Sequence, residues 1–161
     1  MNPAFSAFQQ QIMHPLKFRL FLLKRLPSAL FAGLRIVSFS EKQSVVAVRY
    51  NWFNQNPFRS MYFAIQSMAA EMSTGLLASA EVYRRQPSVS MLVIGLEARF
   101  YKKAVDKILF SCQDGDLISA TVAQAIQTGE SVTIRCCSIG TNPKGETVSE
   151  FFITWSFKVK S

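Results

Sequence analysis

Glu71 is the residue in this chain whose type and setting demand a chemical account. It is the only charged residue between Met61 and Ala80. Around it Met61, Ile65, Met68 and Met72 recur at spacings of 4, 3 and 4 residues, one stripe of an α-helix. Tyr62, Phe63, Ala69, Ala70, Leu76 and Leu77 cover the other faces, so the helix reads as apolar all round. A carboxylate in that setting is costly unless it is paired, hydrogen-bonded or used. On the helical wheel it lies beside Ala64, Ser67, Gly75 and Ala78, a flank of small residues that another backbone can approach closely. Two readings stand. In one, the helix surfaces here or a structural hydrogen bond holds the acid. In the other, the carboxylate acts on a substrate, as a base towards water or as a nucleophile.

Other chemistries find little support. His14 is the only histidine and sits between Met13 and Pro15, which argues against a Ser-His-Asp triad, a Cys-His pair or a His-rich metal site. Cys112, Cys136 and Cys137 have neither metal-ligand spacing nor an even count. They read as reduced thiols of a cytoplasmic protein, with no metal and no bound cofactor expected. The 18 basic and 10 acidic residues give a net charge of +8, but the charges form no block and no nucleic-acid motif. The N-terminus lacks the order of a signal peptide.

An apolar helix of this length is either enclosed or spans a membrane. Its neighbours favour enclosure. Residues 3–13 and 16–26 read as short helices, the second carrying Leu16, Leu20 and Leu23 on one line among Lys17, Arg19, Lys24 and Arg25. That second segment reads either as a membrane-surface helix or as a helix packed over the protein with its bases in water. Pro27 stops it. Strands are expected at 34–39, 45–50, 91–102, 107–113 and 131–139, and Gly95 marks either a bulge or a close backbone approach. Asp114 offers an N-cap for a helix over 117–128, which Gly129 ends. The last strand is clearest, because Phe151, Ile153, Trp155, Phe157 and Val159 alternate with Phe152, Thr154, Ser156 and Lys158. No strict strand–helix alternation appears, so a doubly wound parallel sheet is disfavoured. The expectation is a single α+β domain over 1–161. An antiparallel sheet curls round one central helix at 60–80, N-capped by Ser60, and the segment 1–27 packs on the sheet.

This order resembles the hotdog fold, from about Leu20 to Lys158. Asn56 and Glu71 stand 15 residues apart (71 − 56), which is similar to the Asn-to-acid spacing of hotdog thioesterases of the phenylacetate-degradation type. Arg25-Leu26-Pro27, Ala70-Glu71 and Gly75 are similar to a little-characterised thioesterase-like branch. One departure is evident: the positions that carry His-Gly-Gly in the family are Tyr62-Phe63-Ala64 here.

The resemblance implies hydrolysis of an acyl-CoA-type thioester. Glu71 would activate water or attack the carbonyl. Amides near Tyr62 and Phe63 would stabilise the oxyanion at the helix N-terminus, with the Tyr62 hydroxyl standing in for the imidazole. Asn56 would hold water or substrate, or else cap its own loop. Ser67 and Thr74 lie within a turn of Glu71 and either bond it or bond their own backbone. Arg84, Arg85, Lys102 and Lys103 either meet the coenzyme A phosphates or are simply solvated. The protein would be a homodimer or a dimer of dimers with sites at the interface, without nucleic acid or membrane span. A non-catalytic acyl or lipid binder on the same fold is the alternative. A hotdog dehydratase is disfavoured for want of a histidine in the helix.

Overall fold

The protein is described here over residues 2–160 by a computed structural model. Eleven elements follow in order: α1 (Phe5–Met13), α2 (Pro15–Arg25), α3 (Pro27–Phe31), β1 (Arg35–Phe39), β2 (Ser44–Arg49), α4 (Phe63–Val82), β3 (Val89–Phe100), β4 (Lys107–Cys112), α5 (Gly115–Thr128), β5 (Val132–Thr141) and β6 (Thr147–Val159). The six strands form one sheet in the order β1-β2-β4-β5-β6-β3, and every neighbouring pair is antiparallel. This is the α+β arrangement expected from the sequence.

The alternation in β6 turns Phe151, Ile153, Trp155 and Phe157 into the core, with their neighbours in sequence on the other face. Val46, Val48, Ile108 and Phe110 do the same from β2 and β4. These inward residues meet α4, which packs on strands from β2 to β6. An apolar helix loses its water-facing cost only when every side is covered, and one concave sheet face cannot do that alone. Ile118, Val122 and Ala125 of α5 are buried, and α5 packs on α4, β5 and β6. The N-terminal helices cover another side, through buried Phe5, Ile12, Phe18 and Leu22.

The helix ends differ from their sequence expectation for identifiable reasons. Ser60 does not cap α4. Its N–H donates to Asn56 Oδ1 (3.2 Å), while the N–H groups of Met61 and Tyr62 donate to the carbonyls of Ala104 and Asn54 (both 2.8 Å). Residues 60–62 are thus held extended, and the helix opens at Phe63 with Tyr62 as an N-cap that makes no side-chain bond. At the other end α4 continues to Val82, because the buried Asn2 amide donates to the carbonyls of Ala80, Glu81 and Tyr83. Pro27 does end α2, but it also opens the short α3 at its first position, where a proline lacks nothing a helix needs. Asp114 stands at the start of α5 without a side-chain cap, because its Oδ2 accepts from the N–H of Cys137 at 2.7 Å.

β3 is an edge strand with a bulge between Val93 and Gly95, where the sequence admits one. The bulge reverses the phase of the strand. Before it Met91 and Val93 stand opposite Phe157 and Trp155; after it Leu96 and Ala98 stand opposite Ile153 and Phe151. Leu96 and Phe100 therefore belong to the helix-bearing side, yet they are 51% and 49% exposed. No helix among the described residues exceeds the length and hydropathy needed to cross a membrane.

Phe151 is completely buried, edge-on to Phe100 and Phe110 at 5.6 and 5.8 Å between ring centroids. Phe151→Ala is expected to lower the unfolding free energy by about 3–5 kcal/mol in urea titration. Phe58→Ala, at an exposed position, is expected to change it by less than about 0.5 kcal/mol.

Candidate active site

Glu71 sits two turns into α4, on the flank facing a cavity of about 370 Å³ between α1, α2, α4 and the outer strands. Phe8, Phe18, Phe21, Met72, Met91 and Trp155 give the cavity apolar walls. The glycine four residues on shapes its floor. A Cβ on Gly75 would meet Glu71 Oε1 at 3.0 Å and Trp155 Cζ2 at 3.2 Å. The small flank read from the sequence is therefore filled by an indole ring and by the acid itself.

The indole is fixed in turn. Trp155 Nε1 donates to Thr74 Oγ1 at 3.0 Å, and Thr74 Oγ1 donates to the backbone carbonyl of Glu71 at 3.0 Å. Thr74 thus positions Trp155 and leaves the Glu71 carboxylate alone. Ser67 is likewise spent, donating to the carbonyl of Phe63 at 2.9 Å. Among the described residues no side chain donates a hydrogen bond to the Glu71 carboxylate, and no cation pairs with it. Desolvation in this setting raises its pKa above the ordinary value of 4.5. Such a carboxylate has a higher proton affinity than an exposed one and keeps its lone pairs free.

The helix start forms a second, more open cleft of about 560 Å³ lined by Asn56, Phe58, Tyr62, Phe63, Phe100 and Lys103 among others. Asn56 closes its own loop here. Its Oδ1 accepts from the N–H groups of Phe58 (2.9 Å) and Ser60, and its Nδ2 donates to Ser60 Oγ at 3.1 Å. The Tyr62 amide is taken by Asn54, so the amides without a backbone partner in the first turn are those of Phe63 and Ala64. The Tyr62 ring lies edge-on to Phe63 at 4.9 Å. Phe63 and Glu71 are eight residues apart (71 − 63). That is about 12 Å along the helix axis, so one protomer does not bring the amides and the acid to one atom.

The four basic residues also divide. Lys102 pairs with Glu146 at 2.6 Å and Lys103 donates to the carbonyl of Phe58, both near the helix start. Arg85 pairs with Glu81 at 3.2 Å, and Arg84 stacks over Tyr83, both at the helix end. The cysteines stand apart from both clefts. Burial pushes the Cys136 thiol up to about 12 and raises that of Cys112, which makes neither a nucleophile.

Trp155 and the aromatic wall from α1 and α2 were not identified as site residues from sequence. Period 2 turns Trp155 inward, but only the register of β6 against β3 and β5 places it over Gly75.

The sequence matches no protein-family model and no curated protein. Solved structures do match it over nearly its whole length. One is a protein of unknown function from Pseudomonas aeruginosa, described as a probable thioesterase. It has a TM-score of 0.75 at 19% identity, over 91% of this chain and 97% of that one. The fold is the hotdog fold. A protein of unknown function from Chlorobaculum tepidum superposes with a TM-score of 0.75 at 15% identity, over 90% of this chain and 94% of that one. A Haemophilus influenzae thioesterase gives 0.60 at 10% identity, over 88% and 90%. At such identities the hotdog likeness shows architecture and leaves the reaction to be argued from the site.

The raised pKa of Glu71 has a consequence for stability. Below 4.5 the acid is protonated in both folded and unfolded chains; as pH climbs through the folded value, an unpaired charge is forced into the cavity and stability falls. Glu71→Gln is expected to unfold at a higher temperature than the native protein at pH 8. That gap should close on acidification to pH 4, as measured by circular dichroism melting.

Proposed function

We propose that this hotdog protein hydrolyses acyl thioesters of the coenzyme A type. The observation that carries this reading is the Glu71 carboxylate: partly desolvated, free of donors, at the wall of an apolar cavity. Glu71 takes a proton from water as the water oxygen bonds to the thioester carbonyl carbon. The oxyanion so formed accepts hydrogen bonds from helix N-terminal amides, those of Phe63 and Ala64, where the helix dipole also favours negative charge. The carbon–sulfur bond then breaks, and the leaving thiolate takes the proton held by Glu71. The acyl chain lies among Phe18, Phe21, Met72 and Met91, where thioethers and rings adapt to varied shapes. Arg84 and Lys103, which carry no carboxylate partner among the described residues, are the bases best placed to meet phosphates.

Amides and acid some 12 Å apart within one helix require two copies to complete a site. The free edge of β3 supplies a route. Its outer backbone groups lack a strand partner, and Leu96 and Phe100 are uncovered on the helix side. A two-fold pairing there would set Glu71 of one protomer against the α4 start of its partner, giving a homodimer with two sites. The likeness to the phenylacetate-degradation type rests on the Asn56–Glu71 interval, and that to the thioesterase-like branch on Arg25-Leu26-Pro27, Ala70-Glu71 and Gly75.

A second reading, an acyl binder without turnover, is favoured by Phe63. Its exposed ring flanks the very amides that a carbonyl must reach.

Thiol release from a panel of acyl-CoAs of graded length distinguishes the two. The native protein is expected to release thiol, with an acidic limb in kcat/KM lying above the ordinary glutamate range. Glu71→Gln is expected to lose about 10²- to 10⁴-fold. Binding of the same acyl-CoAs with no thiol released would establish the binder instead. Sedimentation equilibrium at micromolar concentration is expected to show a dimer, and Leu96→Glu with Phe100→Glu a monomer.

A further inference from the structure

Helix α2 has two apolar faces, and the protein uses only one. Phe18 and Leu22 are buried against the body of the molecule. On nearly the opposite side Leu16, Leu20 and Leu23 stand 63%, 48% and 51% exposed. At 3.6 residues per turn these three leucines fall within about 60° of arc. Arg19 lies just beyond one border of that ridge; Lys24 and Lys17 lie just beyond the other. Leu26 and Phe31 of the adjoining α3 segment are exposed as well.

The charge of this region is one-signed. The sequence has no Asp or Glu before Glu41, while Lys17, Arg19, Lys24, Arg25 and Arg35 fall within that stretch. None of these five bases pairs with a carboxylate among the described residues. Exposed leucines alone would suit many partners. Leucines bordered on both sides by unpaired long bases suit a surface that is apolar in depth and anionic at its rim, where the bases reach outward to phosphate as the leucines sink.

We infer that α2, with α3 beside it, docks the protein on the surface of an anionic phospholipid bilayer. The helix lies in the plane of the interface without crossing it. The consequence for the cavity is direct. Lys17, Phe18, Phe21 and Leu26 belong both to this segment and to the cavity lining, so the docked face and the cavity mouth share a border. This inference stands whether or not Glu71 hydrolyses anything.

Co-flotation of the full chain tests it, using vesicles of phosphatidylcholine alone and of phosphatidylcholine mixed with phosphatidylglycerol. Binding is expected on the anionic vesicles only, and it should weaken as salt is raised. Lys17→Gln, Arg19→Gln and Lys24→Gln should each weaken it about fivefold. The triple variant Leu16→Ser, Leu20→Ser, Leu23→Ser should lose at least about tenfold with an unchanged melting temperature, since these side chains lie outside the core. The single charge variants decide the matter should the triple variant fold poorly. The inference is overturned if the native chain stays in the buffer with anionic vesicles at low salt, or if neutral vesicles bind it equally. It is also overturned if the charge and leucine variants bind like the native chain. Loss of oligomeric mass in the leucine variant, with no vesicle binding by the native chain, would make the ridge a contact between copies and equally overturn it.

Discussion

Everything in this molecule follows from the need to cover a helix that is apolar on every side. A twenty-residue α4 cannot be hidden by one sheet face. The sheet curls over part of it, α5 closes a second side, and α1 with α2 closes a third. The last closure is incomplete, and the gap it leaves is the cavity beside Glu71. The acid is thus desolvated by the same packing that stabilises the fold. Gly75 leaves room for the carboxylate and for the Trp155 ring, and Thr74 pins that ring from the same helical turn. The arrangement holds a charge away from water without supplying a partner for it, which is unfavourable for stability and useful for proton transfer.

The fold was legible because two periods in the sequence are unusually clean. Phe151 to Val159 alternates strictly, and Met61 to Ala80 admits a single charge, so a sheet around a buried helix was the one economical solution. Gly95 was legible as a bulge or a close backbone approach, and the register shift between Val93 and Gly95 makes it the first. The ends of α4 were not legible. Ser60 is a good cap by type, but Ala104 and Asn54 compete for the amides that follow it, and Asn2 extends the far end from seventy-eight residues away in sequence (80 − 2). Contacts of such separation leave no local signal.

The site was legible in part. Glu71 announced itself by being alone. The spent hydroxyls of Ser67 and Thr74 follow the ordinary habit of those residues in helices, which is to bond the preceding turn. Asn56 similarly serves its own loop. What the sequence could not convey was distance: the acid, the helix-start amides and the two pairs of bases read as one constellation along the chain but are spread along a long rod, with Lys102 and Lys103 by the amides, Glu71 near its middle and Arg84 and Arg85 at its far end. The proposed pairing of two copies through β3 would bring them together. Helix α2, whose basic leucine stretch read more readily as packing over the protein than as membrane surface, packs through Phe18 and Leu22 and keeps Leu16, Leu20 and Leu23 exposed.

The most direct measurement is a crystal structure with a non-hydrolysable acyl-CoA analogue in which a methylene replaces the sulfur. The acyl chain should enter the cavity walled by Phe18, Met72 and Met91. Its carbonyl oxygen should be within hydrogen-bond reach of the Phe63 and Ala64 amides, and Glu71 of the other protomer should face the carbonyl carbon. An analogue bound with Glu71 turned to bulk water, away from the acyl carbonyl and from any neighbouring protomer, would contradict the role given to this acid.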